Sequence, residues 1–146
     1  MAGFHPSLES GDYLQQANDA ILTIVQIETK EAVQNVDEIA AVPGIDVLFV
    51  GPFDLGNNIG HPIVDGEMHV NLRAAIAKVL KAAKSAGKQA GIFCTSGEQS
   101  KFYADQGFQM INVATDMHVL PAGIINALRT SKGLGAGATL KGPYGK

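Results

Sequence analysis

Two carboxylates and one amide follow short apolar stretches at positions where they can hold a metal ion. Gln26 and Glu28 end one such stretch, and Asp54 comes just after the next stretch along the chain. Neighbouring parallel strands lie about 4.8 Å apart, so two carboxylates at their ends can share one hard divalent cation. Water or substrate would complete the oxygen shell that Mg²⁺ and Mn²⁺ prefer. Side chains two residues apart share a strand face, so Gln26 can bind a ligand or orient the metal site.

The same carboxylates also have a structural interpretation, which their spacing alone leaves open. In it, Glu28 caps the helix that follows and Asp54 caps a turn. The residues around Asp54 add a possible ligand site, because Gly51 lets a ligand approach the backbone closely. The backbone amides of Phe53 and Asp54 can then bind a carboxylate group.

A histidine and the single cysteine also stand near predicted strand ends, and we expect structural roles for both. Cys94 ends an apolar stretch, where a lone cysteine usually behaves as a small buried hydrophobe. His61 follows the second apolar stretch in a loop, and we expect it to support that loop rather than to transfer protons.

Short strands alternating with helices must position these residues. Stretches rich in β-branched residues and apolar on both faces predict strands of a covered parallel sheet, at residues 21–27, 45–50, 90–93 and 110–113. Apolar residues at helical spacing and capping signals predict helices within residues 12–20, 33–40, 72–83, 96–107 and 116–129. Ser96 and Gln99 predict a capping box, and Asp116 is expected to cap the last helix. One helix followed by four strand–helix pairs predicts an α/β fold.

Composition excludes several classes of protein. With 11 Lys and Arg against 14 Asp and Glu, the net charge of −3 makes binding to nucleic acid or to an anionic membrane unexpected. One cysteine excludes a disulfide framework and a thiolate metal cluster. No apolar run reaches the roughly 20 residues of a membrane span, and residues 1–10 lack the pattern of a signal peptide. We therefore expect a cytoplasmic protein with one domain over residues 1–132 and a flexible glycine-rich tail over 133–146.

Two motifs, at their spacing, resemble the HpcH/HpaI aldolase family, the metal-dependent pyruvate aldolases related to 2,4-dihydroxyhept-2-ene-1,7-dioate aldolase. The first motif is Gln-Ile-Glu-Thr at 26–29, and the second is Gly-Ile-Asp-Val-Leu-Phe-Val-Gly-Pro-Phe-Asp-Leu at 44–55. Gly-His-Pro at 60–62 and Gly-Ile-Phe-Cys at 91–94 fit the same pattern. The resemblance covers about residues 12–129 and is greatest to fungal members such as macrophomate synthase.

This resemblance implies a TIM-type (β/α)₈ barrel, of which the chain has the C-terminal half as four parallel βα units preceded by a helix. It implies that Glu28 and Asp54 bind Mg²⁺, or Mn²⁺ or Co²⁺. It also implies that Gln26 and the backbone at Phe53 and Asp54 contact the pyruvate moiety of a small 2-oxo acid. The implied reaction cleaves 4-hydroxy-2-oxo acids to pyruvate and an aldehyde through a metal-stabilised enolate.

The family's assembly and proton chemistry give two further expectations. Its members form dimers or hexamers in which a C-terminal helix is exchanged between subunits, so we expect a homo-oligomer. Its catalytic arginine and histidine lie in the N-terminal half of the barrel, and no residue of this chain matches either one. The catalytic residues are therefore unassigned, and activity of this chain on its own is a separate question.

Two other interpretations come from the predicted sheet. A half-barrel exposes an unpaired strand at each edge, which would suit a non-catalytic association module. A flavodoxin-like nucleotide-binding fold is disfavoured, because no glycine-rich phosphate-binding turn follows any predicted strand.

Overall fold

The sheet has four parallel strands in the order β1-β2-β3-β4. The computed structural model describes residues 10–133, with side chains from residue 15 onward, so the predicted tail from residue 134 lies outside the described residues. The strands are β1 (Ile24–Ile27), β2 (Val47–Val50), β3 (Gln89–Phe93) and β4 (Met110–Asn112). Each strand pairs in parallel with the next one along the chain, which confirms the predicted topology.

Helices occupy every connection between the strands. In chain order they are α1 (Ser10–Ala20), α2 (Lys30–Gln34), α3 (Val36–Ala41), α4 (Pro52–Asn58), α5 (Val70–Ser85), α6 (Gly97–Gln106) and α7 (Asp116–Ser131). The predicted helix after β1 is divided into α2 and α3. Helix α4 follows β2 immediately, contains Asp54 and was not predicted from the sequence.

One face of the sheet is covered by helices and holds the core. Leu48, Val50 and Ile92 point to this face and are fully buried. The long helix α5 packs there with the apolar stripe that its sequence predicts, which includes Leu72, Ile76, Val79, Leu80 and Ala83. Burying a side chain of this size stabilises the fold by about 1.5–3 kcal/mol. The packing of α5 therefore stabilises β2 and β3, both of which it contacts.

The other face of the sheet carries the residues of the candidate site. Gln26, Phe49, Gly91 and Met110 form one row across this face, because they are paired in register from β1 to β4. A Cβ at Gly91 would overlap the ring of Phe49, so glycine is needed there for the ring to lie across β3. Ile24 and Phe93 are also exposed on this face, 46% and 38% respectively.

Helix caps mostly follow the predictions, with two corrections. Ser96 Oγ accepts from the Gln99 amide as predicted, but the Gln99 side chain accepts from the Thr95 amide rather than from Ser96. Gly107 ends α6 with a φ of 101°, the left-handed conformation that favours glycine. The N-cap of α7 is Thr115, so the prediction that Asp116 occupies this position is wrong.

Helix α7 has no buried residue, and its predicted apolar stripe of Leu120, Ile124 and Leu128 is exposed. The helix is present, but nothing in the described part of the chain packs on the stripe. No helix between residues 10 and 133 is both long and apolar enough to cross a membrane.

Candidate functional site

Gln26 and Glu28 lie on one side of the sheet and are bonded to each other. Gln26 Nε2 donates to Glu28 Oε2 at 2.6 Å, a short bond to a carboxylate. The strand period explains the arrangement, since the two side chains are two residues apart at the end of β1. The bond engages one oxygen of Glu28 and fixes the direction of the carboxylate.

This bonded pair lies directly over Gly51, the residue after β2. A Cβ at position 51 would be 2.9 Å from Gln26 Nε2 and 3.2 Å from Glu28 Oε2. Glycine therefore allows both side chains to approach the backbone at the point where β2 leads into α4. The expected role of Gly51, a close approach to the backbone, is filled here by the protein's own side chains.

Asp54 lies in the first turn of α4, three residues beyond Gly51. Gly51 is the N-cap of this helix and makes no side-chain cap bond, and Pro52 has no amide hydrogen. Phe53 and Asp54 both lie in the first turn of this helix. Asp54 is exposed, and Phe53 is 38% exposed.

The structure decides the capping question for Glu28. The N-cap of α2 is Thr29, whose Oγ1 accepts from the Ala32 amide at 3.0 Å. The Lys30 amide, also in the first turn of α2, donates to Asn58 Oδ1 at 2.8 Å. The interpretation of Glu28 as a helix cap is therefore wrong.

The donor set suits a hard divalent cation that keeps part of its shell from water or substrate. Among the side chains that the structure describes, from residue 15 to residue 133, there is no cluster of three or more His, Cys, Asp or Glu residues able to hold a metal. Two carboxylates, Glu28 and Asp54, follow adjacent parallel strands instead. Oxygen ligands of this kind and number are typical of Mg²⁺ and Mn²⁺ sites and unlike the nitrogen and sulfur sets of zinc.

His61 has the structural surroundings that the sequence analysis expected. Its ring stacks on that of His69 with centroids 4.1 Å apart and planes 4° apart. Asn71 Nδ2 lies 2.8 Å from His61 Nε2, and the Asn71 amide donates to His69 Nδ1 at 3.1 Å. These contacts brace the loop between α4 and α5.

Cys94 is buried at the end of β3, as predicted. Burial raises the pKa of its thiol, and a hydrogen bond with Ser100 partly opposes that shift. Asn112 of β4 holds the Cys94 backbone by accepting from its amide at 2.9 Å and donating to its carbonyl at 3.0 Å. A buried thiol that stays protonated is a packing residue rather than a nucleophile.

Asn58, which was not predicted as a site residue, links the end of α4 to the start of α2. The available signal was weak: an asparagine two residues before a glycine, a combination common where helices end. No sequence pattern predicts the Lys30 amide as its hydrogen-bond donor, because the two residues come together through the pairing of β1 with β2.

Residues 5–122 match the family described as HpcH/HpaI aldolase/citrate lyase. The chain belongs to this HpcH/HpaI family. Hydroxypyruvate/pyruvate aldolase of Rhizorhabdus wittichii is 40% identical over 131 residues, which are 88% of this chain and 52% of that protein. The chain thus spans about half the length of the curated relatives it matches.

Solved structures of HpcH/HpaI proteins have the same fold over this region. An HpcH/HpaI aldolase/citrate lyase family protein from Burkholderia cenocepacia is 39% identical, with a TM-score of 0.75 over 83% of this chain and 46% of that one. Macrophomate synthase is 27% identical, with a TM-score of 0.73 over 90% of this chain and 44% of that one. The expectation of four parallel βα units forming half of a TIM-type barrel is confirmed.

Proposed function

We propose that the chain carries the metal- and pyruvate-binding half of a class II aldolase, a carbon–carbon lyase that cleaves 4-hydroxy-2-oxo acids to pyruvate and an aldehyde. One observation carries the proposal: the Glu28 carboxylate is held over Gly51, at the strand end that leads into Asp54. Family membership supports the reaction class, and the name of the Rhizorhabdus relative supports pyruvate as the shared product.

Glu28 and Asp54 are the proposed metal ligands, with Mg²⁺ as the expected ion and Mn²⁺ or Co²⁺ as substitutes. Gln26 occupies one oxygen of Glu28, which leaves the other oxygen for the ion. When bound, the ion supplies Lewis-acid stabilisation of the charge that develops on the 2-oxo group during cleavage.

The substrate's carboxylate is proposed to bind at the start of α4. Phe53 and Asp54 lie in the first turn of α4, at the positive end of the helix dipole, and Gln26 Nε2 lies close to Gly51, the N-cap of the same helix. Phe53, which is partly exposed, supplies apolar surface beside this position. We assign no proton-transfer residue to this chain, because His61 is engaged with His69 and Asn71.

A homo-oligomer and a cytoplasmic location complete the proposal. The exposed apolar surface of α7 supports assembly, since five of the helix's apolar side chains are at least half exposed: Met117, Val119, Leu120, Ile124 and Leu128. Large apolar side chains clustered on one exposed helix commonly mark an interface. The expected partner is another copy of the chain, in a dimer or a hexamer.

Calorimetric titration tests the metal assignment. Mn²⁺ is titrated with oxalate, a stable analogue of the pyruvate enolate, into the wild type and into Glu28→Gln and Asp54→Asn. The matched control is Glu31→Gln, which removes an acidic side chain from the first turn of α2, three residues beyond Glu28. We expect each site variant to lose at least about 100-fold in affinity, since even residues behind the ligands contribute about 10–100-fold.

Two results would contradict the proposal. Equal binding by wild type and Glu28→Gln would remove the metal assignment. Any pyruvate release from a 4-hydroxy-2-oxo acid, followed with lactate dehydrogenase, should depend on added metal, and release that is insensitive to chelation would remove the class II mechanism.

A further inference from the structure

Asn58 joins the two segments that carry the proposed metal ligands. Its side-chain oxygen accepts from the Lys30 amide at 2.8 Å, two residues after Glu28. Asn58 is the last residue of α4, the same short helix whose first turn contains Asp54. One hydrogen bond therefore connects the loop of the first carboxylate to the helix of the second.

The rest of α4 is anchored in the core, and Asn58 lies exposed at the end of this helix. At Gly56 a Cβ would lie 2.9 Å from the His61 carbonyl and 3.1 Å from Leu72, which shows how closely α4 approaches α5. Leu55 is fully buried beside it. The acceptor on Asn58 therefore belongs to a helix that is anchored in the core.

Helix α2 is held at both ends by side chains from other elements. Asn58 binds the first amide of the helix, and Lys78 of α5 donates to the carbonyls of Val33 and Gln34 at 2.7 and 3.3 Å. Partners from outside the helix are needed at these ends because terminal amides and carbonyls have none within it. Of these three bonds, only the one to Asn58 lies next to Glu28.

We propose that Asn58 is a positioning residue of the metal site: it sets the separation of Glu28 from Asp54 by tying the start of α2 to the end of α4. The inference rests on the proposed function, since it concerns the same two carboxylates. Asn58 does not bind the ion in this proposal and acts only through the Lys30 amide. Removing its acceptor should let the Glu28 loop move relative to Asp54 and weaken binding of a shared cation.

The test compares variants at the two ends of α2. Asn58→Leu and Asn58→Ala remove the acceptor beside Glu28, whereas Lys78→Met removes the donor at the far end of the helix. Mn²⁺ binding in the presence of oxalate is measured from the electron paramagnetic resonance signal of free Mn²⁺, and stability is measured by urea unfolding. We expect both Asn58 variants to lose about tenfold in Mn²⁺ affinity, the lower end of the range for residues behind metal ligands.

A conservative replacement separates positioning from general destabilisation. Asn58→Asp keeps an oxygen acceptor for the Lys30 amide, so it should restore affinity to within about twofold of the wild type. The comparison is made in about 1 M salt, where a Debye length of about 3 Å screens the added negative charge. Lys78→Met should lower stability while leaving Mn²⁺ affinity within about twofold of the wild type.

The outcomes distinguish this inference from the function on which it rests. If Glu28→Gln binds Mn²⁺ as tightly as the wild type, both are overturned. If Glu28→Gln loses binding and the Asn58 variants do not, only the positioning role is overturned. The same holds if Lys78→Met and Asn58→Leu lose affinity equally, because Asn58 would then act through stability alone.

Discussion

Replacing Gly51 by alanine should weaken metal binding and leave the fold intact. The new Cβ would lie 2.9 Å from Gln26 Nε2 and 3.2 Å from Glu28 Oε2, distances too short for unstrained contacts. Both atoms are at the ends of flexible side chains, so these side chains should move and the backbone should not. Gly51 has a φ of −98°, which alanine tolerates.

The size of the effect follows from the bond that the methyl group disrupts. Gln26 donates to the Glu28 carboxylate at 2.6 Å, and a hydrogen bond to a charged group contributes about 1.5–3 kcal/mol. If that energy serves to hold the carboxylate in its ligating direction, its loss corresponds to a fall of about 10- to 150-fold in Mn²⁺ affinity. Stability should change little, because the gain of about 0.4–1 kcal/mol from restricting the unfolded chain opposes the loss of the exposed Gln26–Glu28 bond.

The assay pairs Mn²⁺ titration with thermal unfolding followed by circular dichroism. Gly97→Ala is the control, because a Cβ there meets no atom within 4 Å. An unchanged Mn²⁺ affinity in Gly51→Ala would refute the reasoning that the Gln26–Glu28 pair presents the ligand. A variant that unfolds at a much lower temperature would refute the claim that the two side chains absorb the clash.

Two further predictions concern the exposed helix α7 and two buried ionisable groups, the Cys94 thiol and the Tyr103 hydroxyl. Leu120→Ser combined with Ile124→Ser on α7 should shift a dimer or hexamer towards monomer in light-scattering measurements, and a monomeric wild type would contradict the assembly proposal. Stability in urea should fall as the pH rises above about 9.0, the ordinary pKa of a cysteine thiol. Burial raises the pKa of both Cys94 and Tyr103, so the folded protein keeps protons that the unfolded chain releases. Stability that is constant from pH 8 to about pH 11 would contradict this.

The strands could be predicted because their signal is local. Stretches that are apolar on both faces occur in covered parallel sheets, and each one predicted became a strand with the expected neighbour. Their starting points were less accurate. The stretch from Ile21 begins its ladder only at Ile24. The Ile21 amide still donates to the Ala17 carbonyl of α1, and the Thr23 amide donates at 2.7 Å to the Asp46 carboxylate. Such a side-chain hydrogen bond competes with the hydrogen bonds of the ladder, and it cannot be predicted from hydrophobic periodicity.

Helix α4 could not be predicted because its own residues do not favour it. It has seven residues, including one glycine and two asparagines, and both residue types lower helix propensity. What stabilises it is tertiary: Leu55 is fully buried, and Gly56 allows close approach to the His61 carbonyl and Leu72. These contacts join residues that are adjacent only once α5 has packed on the sheet.

The two proposed ligands therefore depend on the sequence in different ways. Glu28 takes its direction from the two-residue period of β1, and the motif around it was sufficient to place it beside Gln26. Asp54 takes its direction from a helix that tertiary contacts stabilise, so the same kind of reasoning places it after β2 but not in a helical turn. Substitutions that loosen α4, such as a larger residue at Gly56, should therefore weaken metal binding mainly by displacing Asp54. The Gln26–Glu28 hydrogen bond depends on β1 and should persist in such α4 variants.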